Sequence, residues 1–242
     1  MRLKNLLIWD FKLQLRYHIL LAAIVITSVW FFVLYLLPNF TMSIALPIVF
    51  ITDFTVTGFL LTAAMIFFEK SQDTISALVI TPVKIKEYIL SKTISIAITL
   101  TCISFLLGVF IVFVKDVTVN LLLVALAAFL SCTTFILMGI CISTFYDSFT
   151  KLILPMGVLF SILFIPFLSY VNNPSLDFLD YVIGIFPTYS MIILVNGAMG
   201  ELSIWSMILS IAYLLLINFL LFKLSLQLFS VKIIGREHTI NE

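Results

Sequence analysis

Six long apolar segments follow one another along this 242-residue chain, and the short stretches between them contain most of its charges. An α-helix of about 20 apolar residues crosses the 30 Å core of a bilayer, where every backbone polar group must be paired internally. The segments are too long for the strands of a membrane barrel. The pattern therefore predicts an all-α integral membrane fold with six transmembrane helices in one domain over residues 1–242. The predicted spans cover residues 18–37, 44–68, 93–114, 120–145, 151–170 and 204–229.

Composition agrees with this fold class. Hydrophobic residues make up 63% of the chain, charged residues make up 10%, and the mean hydropathy is +1.26, which indicates lipid as the solvent. The formal net charge is only +1, and the basic residues are spread along the chain instead of forming one patch. We therefore expect a lipid bilayer and no nucleic acid as a partner.

The distribution of Lys and Arg predicts the orientation. Six spans place both termini on one side, and twelve of the thirteen basic residues lie on that same side. Only Lys115 lies on the other side. Because cytoplasmic loops carry the excess of Lys and Arg, the N and C termini are both predicted to be cytoplasmic.

Two further segments are predicted at the membrane surface. Residues 3–16 mix large apolar side chains with Lys and Arg, which is typical of an interfacial elbow helix. The outer connection 171–203 contains an apolar stretch that is too short to span. Pro187 can begin a helix there and Gly197 can end it, which predicts a short re-entrant helix.

Motifs for catalysis are missing from the sequence. The glycines do not form the GxxxxGK[ST] phosphate-binding loop of an ATPase, and no HExxH zinc motif occurs. We expect no catalytic residue, no metal site and no cofactor bound by this chain. It is predicted not to be an enzyme.

One acidic residue lies deep within a predicted span. Asp53 is nine residues into the second span, about 14 Å below its outer end, and Thr57 follows one helical turn later. A charge at this depth is costly, so Asp53 either contacts a substrate cation or a proton, or fixes helix packing through hydrogen bonds. Both interpretations remain open. Other polar residues within spans are candidates for a substrate path or for packing: Ser95, Thr99, Ser131, Thr134 and Asn218.

The densest group of charges occupies residues 69–92, between the second and third spans. Within it, Ile75, Leu78 and Val79 recur at helical spacing, and Pro82 follows Thr81 and would end the helix. The pattern predicts a short amphipathic helix over residues 71–82, which either rests on the membrane or packs against a protein.

This segment resembles the one that follows the second span in permease subunits of type-2 ATP-binding-cassette exporters. The matching positions are Glu69, Lys70, Thr74, Ile75, Leu78, Val79, Thr81, Pro82, Val83 and Lys92, whereas Asp73, Ser76 and Ser91 depart from the usual pattern. The outer residues Pro187, Tyr189, Asn196 and Gly197 also resemble the outer segment of that family, although Asn196 replaces the common Arg. Residues 9–23, WDFKLQLRYHILLAA, are similar to the leader of permeases of the fluoroquinolone or drug export branch.

The resemblance implies that residues 71–82 form a coupling helix seated in a separate cytoplasmic ATPase, which would bind ATP and Mg. Two permeases, identical or paralogous, would pair with two ATPases. Ile75, Leu78 and Val79 would anchor the contact, and Glu69 would pair with a basic neighbour. The implied function is export of a hydrophobic or amphipathic, drug-like compound by alternating access. The composition, rich in Ile, Leu, Phe and Lys with few Gly, favours a bacterial inner membrane as the location.

Two other functions remain open at this stage. The chain could be a stand-alone proton-coupled carrier or channel centred on Asp53, which the buried acid favours. It could also be a noncatalytic membrane immunity or assembly factor that uses the same scaffold without pumping. The transported compound cannot be read from the sequence.

Overall fold

A computed structural model describes residues 2–72, 74–75, 83–167, 183–200 and 203–231. Leu78, Val79, Thr81 and Pro82 of the predicted coupling helix lie outside the described residues. The helices are α1 Arg2–Arg16, α2 Ile19–Leu36, α3 Met42–Thr52, a π-helical turn Asp53–Thr57, α4 Gly58–Ser71, α5 Ile85–Lys115, α6 Leu121–Ser143, α7 Phe149–Leu163, α8 Pro187–Ala198 and α9 Ile204–Phe229.

Six helical stretches in the described part of the chain are long and apolar enough to cross a membrane. This confirms the predicted helical fold and the number of spans. The second span runs without interruption from Ile44 through α3, the π-helical turn and α4 to Ser71. The helix of the third span, α5, begins at Ile85, eight residues before the predicted start of the span at residue 93. Residues 85–92, several of them polar, belong to the same helix.

The second and fourth spans lie inside the bundle. Helix α6 packs against α4, α5, α8 and α9, and most of the second span is buried. The first, fifth and sixth spans are mostly exposed in the isolated chain, although they are as apolar as the others. Their exposed apolar faces require lipid or another membrane protein as a neighbour.

A glycine allows the two central helices to approach closely. A Cβ atom at Gly139 of α6 would lie 3.1 Å from the backbone oxygen of Phe59 in α4 and 3.4 Å from Cβ of Thr62. Small residues at such contacts let helix backbones pack tightly in membranes, where association depends on van der Waals contact.

Two lysines join the ends of neighbouring helices. Lys70, at the end of α4, donates hydrogen bonds to the carbonyl oxygens of Ser143 and Tyr146 at 2.6 and 2.9 Å. Lys115, at the end of α5, donates to the carbonyls of Tyr35 and Leu37 at 2.8 and 2.7 Å. Carbonyl groups at a helix C terminus lack partners within the helix and attract cations, so each lysine fixes two helix ends together.

Candidate functional site

A buried cluster of charges joins three helices at the edge of the segment that separates the second and third spans. Asp10 belongs to α1, Glu69 to the last turn of α4, and Tyr88, Ser91 and Lys92 to the first turns of α5. We call these five residues the charge cluster. All of them are buried, and the side chain of Lys92 has no exposed surface.

Lys92 lies at the centre of the charge cluster. Its ammonium nitrogen is 2.5 Å from Glu69 Oε1 and 3.2 Å from Asp10 Oδ1, and lies 4.8 Å from the centre of the Tyr88 ring. The second oxygen of each carboxylate accepts a hydroxyl hydrogen bond: Tyr88 donates to Glu69 at 2.5 Å, and Ser91 donates to Asp10. Each carboxylate therefore contacts the Lys92 ammonium through one oxygen and accepts a hydroxyl hydrogen bond through the other.

This arrangement is stable only as a unit. Burial removes water from all three ionic groups, and their attraction offsets that cost only when each has a partner. Removing one partner from a buried pair leaves an uncompensated charge and typically costs about 3–5 kcal/mol. The elbow helix α1 is consequently held to the ends of two spans, and does not simply rest on the membrane.

The contact between Glu69 and a basic residue, expected from the sequence, is present with Lys92 as the partner. Glu69 and Lys92 are the first and last residues of the charged segment 69–92, which contains the predicted coupling helix and which we call the coupling segment, so its two ends are held together. Tyr17 adds a second connection, because its hydroxyl donates to Gln72 Oε1 at 2.7 Å and its ring stacks on Phe68 at 5.0 Å.

The beginning of the segment packs against the chain itself. Ile75 is 3% exposed and belongs to the main apolar core, while Thr74 is partly buried. The family resemblance implied that Ile75 anchors a contact with a partner protein, and this part of the interpretation needs correction because the chain's own core already covers the side chain. The position of Ile75 leaves Leu78 and Val79 as the anchors to be tested.

Asp53 occupies a second polar site, inside the second span at the start of the π-helical turn. Its carboxylate accepts hydrogen bonds from Thr27 of α2 at 3.2 Å and from Thr57 at 3.1 Å. All three side chains are buried. Among the described residues, no basic side chain lies within ion-pair distance of Asp53, so hydroxyl groups alone hold the carboxylate. π-Helical turns are rare in proteins, and those that do occur are often found at functional sites.

Comparison with known families resolves the class of protein. The profile of the fluoroquinolones export permease protein family matches residues 1–237, nearly the whole chain. The chain belongs to this family. It is accordingly a multi-pass membrane permease of the drug-export type, a component of a transporter.

Two curated relatives of this permease come from Mycobacterium tuberculosis, strains CDC 1551 / Oshkosh and ATCC 25618. Each is named "Fluoroquinolones export permease protein", and each is 26% identical over 203 residues, which cover 81% of this chain and 80% of the relative. No solved structure matches the permease.

Of the five other candidate residues named from the sequence, Thr99 and Asn218 join helices. Thr99 of α5 donates to Gln14 Oε1 of α1 at 2.8 Å, which strengthens the attachment of the elbow. Asn218 of α9 donates to the carbonyl of Leu130 in α6 at 3.1 Å. The remaining candidates do not meet at one site.

Three of these candidates stay on their own helices. Ser95 and Thr134 donate to carbonyls one turn earlier in the same helix. The buried Ser131 hydroxyl has no hydrogen-bond partner within the described chain. These contacts are typical of helix packing in membranes, and they do not outline a continuous path.

The outer residues form a well-packed helix. Pro187 is the first residue of α8, as its missing N–H group permits, and the buried Asn196 and Gly197 lie in its last turn. The hydroxyl of Thr188 donates to the carbonyl of Leu163 at 2.7 Å, whereas Tyr189 is only partly buried. Thus α8 contacts α6 and α9 within the bundle.

The contribution of α1 to the charge cluster does not follow from the sequence pattern. That pattern predicts residues 3–16 as a surface helix and gives no partner for Asp10. One signal was available: Asp10 and Gln14 are one helical turn apart, so two polar side chains share a face, and both are buried. Their partners, Ser91 and Thr99, lie more than 80 residues away.

Proposed function

We propose that this permease is the membrane-spanning subunit of a type-2 ATP-binding-cassette exporter. The observation that carries the proposal is the charge cluster, which connects the two ends of the predicted coupling segment to each other and to α1. A segment that receives force from a cytoplasmic ATPase must be attached firmly to the spans that it moves. Glu69 and Lys92 supply such an attachment at the end of α4 and the start of α5.

The proposed mechanism is a rigid-body change between inward and outward access. ATP closes a pair of ATPase subunits, and the segment 71–82 moves with them. Because the charge cluster links α1, α4 and α5, a displacement of the segment would move these three helices together. Packed interfaces switch between discrete arrangements, so the movement would be a change between two states. The hydrogen bonds of Lys70 to the end of α6 extend the same connection to the fourth span.

The partners follow from this mechanism. ATP and Mg would be bound by the ATPase subunit, and a second permease, identical or paralogous, would complete the membrane part. Homologues in a bacterium support a bacterial cell membrane as the location. The proposed cargo is a hydrophobic or amphipathic, drug-like compound, as the family and the names of the relatives suggest.

The experiment that tests this proposal is purification of the tagged permease from its own cells in mild detergent. Mass spectrometry identifies the proteins that accompany it, and the eluate is assayed for ATP hydrolysis. We expect a cytoplasmic ATPase to co-purify with the wild-type chain. We expect Leu78→Asp to abolish co-purification, because a charge on the apolar face of the segment would oppose burial in a protein cleft.

Ala77→Asp is the matched control, since it adds the same charge to the opposite side of the predicted helix. It should keep the ATPase bound. If the Leu78→Asp variant does not accumulate in the membrane, Leu78 has a role in folding. An ATPase-free wild-type permease that still moves substrate or protons would instead support the carrier centred on Asp53.

A further inference from the structure

A small cavity lies between the first and third spans, and one of its lining residues, Thr27, contacts Asp53. Its volume is about 130 Å³, and it opens on the outer surface of the bundle. The cavity is lined by Ile24, Thr27, Ser28, Phe31, Ile103, Leu106 and Leu107. In a bilayer its mouth faces the apolar interior of the membrane or a neighbouring membrane protein, since both helices belong to spans.

Thr27 connects this cavity to the buried acid. Its hydroxyl lines the cavity and also donates to Asp53 Oδ1 at 3.2 Å. A hydroxyl group donates one hydrogen and can accept others through its oxygen. The Thr27 oxygen can thus accept a hydrogen bond from a ligand in the cavity while its hydrogen stays on Asp53. The Ser28 hydroxyl donates to the carbonyl of Ile24 at 2.6 Å and likewise keeps an oxygen for a donor.

We propose that this cavity binds the protonated amine of an amphipathic compound, with Thr27 and Ser28 accepting its N–H groups and Asp53 supplying the opposite charge. The inference rests on the proposed export function and adds the recognition site and the class of substrate. The cavity volume of about 130 Å³ is below the roughly 300–1,000 Å³ of pockets that hold a whole drug-sized ligand, so the cavity admits one end of such a compound. An ammonium group and a few methylenes fit, and the rest of the compound lies at the open mouth.

Charge complementarity decides in favour of a cation. The carboxylate of Asp53 is held by two neutral hydroxyls, and no basic side chain in the described chain offsets its charge. A buried carboxylate without a counter-charge repels an anion and gains from a cation. The apolar lining of the cavity accepts methylenes, so a compound with one amine and a large apolar body matches both features.

Binding of dansylcadaverine to the purified permease in nanodiscs tests this site. The probe has an aromatic body and one primary ammonium, and its N-acetyl derivative has a similar body without the charge. Dissociation constants of both are measured by fluorescence titration. A hydrogen bond to a charged group contributes about 1.5–3 kcal/mol, so we expect at least about tenfold tighter binding of the amine.

Asp53→Asn and Thr27→Val should each remove this preference, because one loses the charge and the other loses the hydroxyl that connects it to the cavity. Thr62→Val is the matched control, since Thr62 is buried in the same span and donates to the carbonyl of Gly58. It should keep the preference. Equal affinity of the two probes for the wild-type chain, or a preference that survives Asp53→Asn, would overturn the proposal.

Leu106→Trp provides a second test that leaves the acid unchanged. Leu106 is 65% exposed and lines the mouth, so a larger ring there should obstruct the cavity and weaken binding of both probes. If Leu106→Trp leaves binding of the amine unchanged, the amine binds at a different site. These measurements need no ATPase, so their failure is distinguishable from failure of the exporter assignment, which depends on co-purification.

Discussion

The permease contains two buried polar sites that differ in whether their carboxylates have a cationic partner. In the charge cluster, two carboxylates share one ammonium group, and two hydroxyls satisfy the remaining oxygens. At Asp53, a single carboxylate has two threonine hydroxyls and no counter-charge among the described residues. The cluster is complete in itself, whereas the Asp53 site lacks a cation.

This difference is the basis for proposing a mechanical role for the charge cluster and a binding role for the Asp53 site. A fully paired cluster fixes helices to one another and gains nothing from a ligand. A carboxylate that has only neutral partners can gain from an incoming cation, and it lies beside a cavity that could admit one. The cluster joins the segment proposed to contact the ATPase, and the Asp53 site lies nearer the middle of the second span.

The largest expected effect is that of Lys92→Met. This change leaves Glu69 and Asp10 buried without a cation, so we expect a loss of about 3–5 kcal/mol in the free energy of unfolding. Thermal unfolding of the detergent-purified permease, followed by size-exclusion chromatography with fluorescence detection, would measure it as a large fall in Tm or as failure to accumulate.

Lys86→Met is its control, because Lys86 lies on the same helix, six residues earlier, and is exposed. We expect a change below about 0.5 kcal/mol there. Similar Tm values for the two variants would show that the cluster does not hold the helices together.

An intermediate effect is expected for Tyr88→Phe. The ring remains, but Glu69 Oε2 loses its hydroxyl donor in a buried position, which costs about 1–3 kcal/mol. Tyr35→Phe removes a hydroxyl from an exposed tyrosine and should have almost no effect on Tm. A Tyr88→Phe variant as stable as Tyr35→Phe would contradict the arrangement described for Glu69.

The smallest effect on stability is expected for Asp53→Asn. The amide oxygen still accepts from Thr27 and Thr57, and the change removes a buried charge that has no counter-ion. We expect the free energy of unfolding to change by less than about 1 kcal/mol. A loss as large as that of Lys92→Met would mean that Asp53 serves packing, and the contrast between the two sites would disappear.

The sequence predicted the spans well for a simple physical reason. Lipid imposes both the length and the apolar character of each helix, so the six spans follow from local composition. Helix α8 begins at Pro187, and proline at a first helical position is a local signal of the same kind. The pair of Asp53 and Thr57 follows from helical spacing.

Contacts between distant parts of the chain could not be read in this way. Asp10 meets Lys92 across more than 80 residues, and Thr27 meets Asp53 from a different span. Helical periodicity places side chains on a face and does not say which helix covers that face. Ile75 illustrates the point, since its helical spacing left open what covers it, and the chain's own core does so.

The most direct test of the exporter assignment is ATP-driven uptake of dansylcadaverine into inside-out membrane vesicles from cells that contain the permease and its own partners. We expect uptake that requires ATP in the wild type and is lost in Leu78→Asp, with an unchanged amount of permease in the membrane and normal uptake in Ala77→Asp. Undiminished ATP-driven uptake in Leu78→Asp would contradict the role given to the coupling segment.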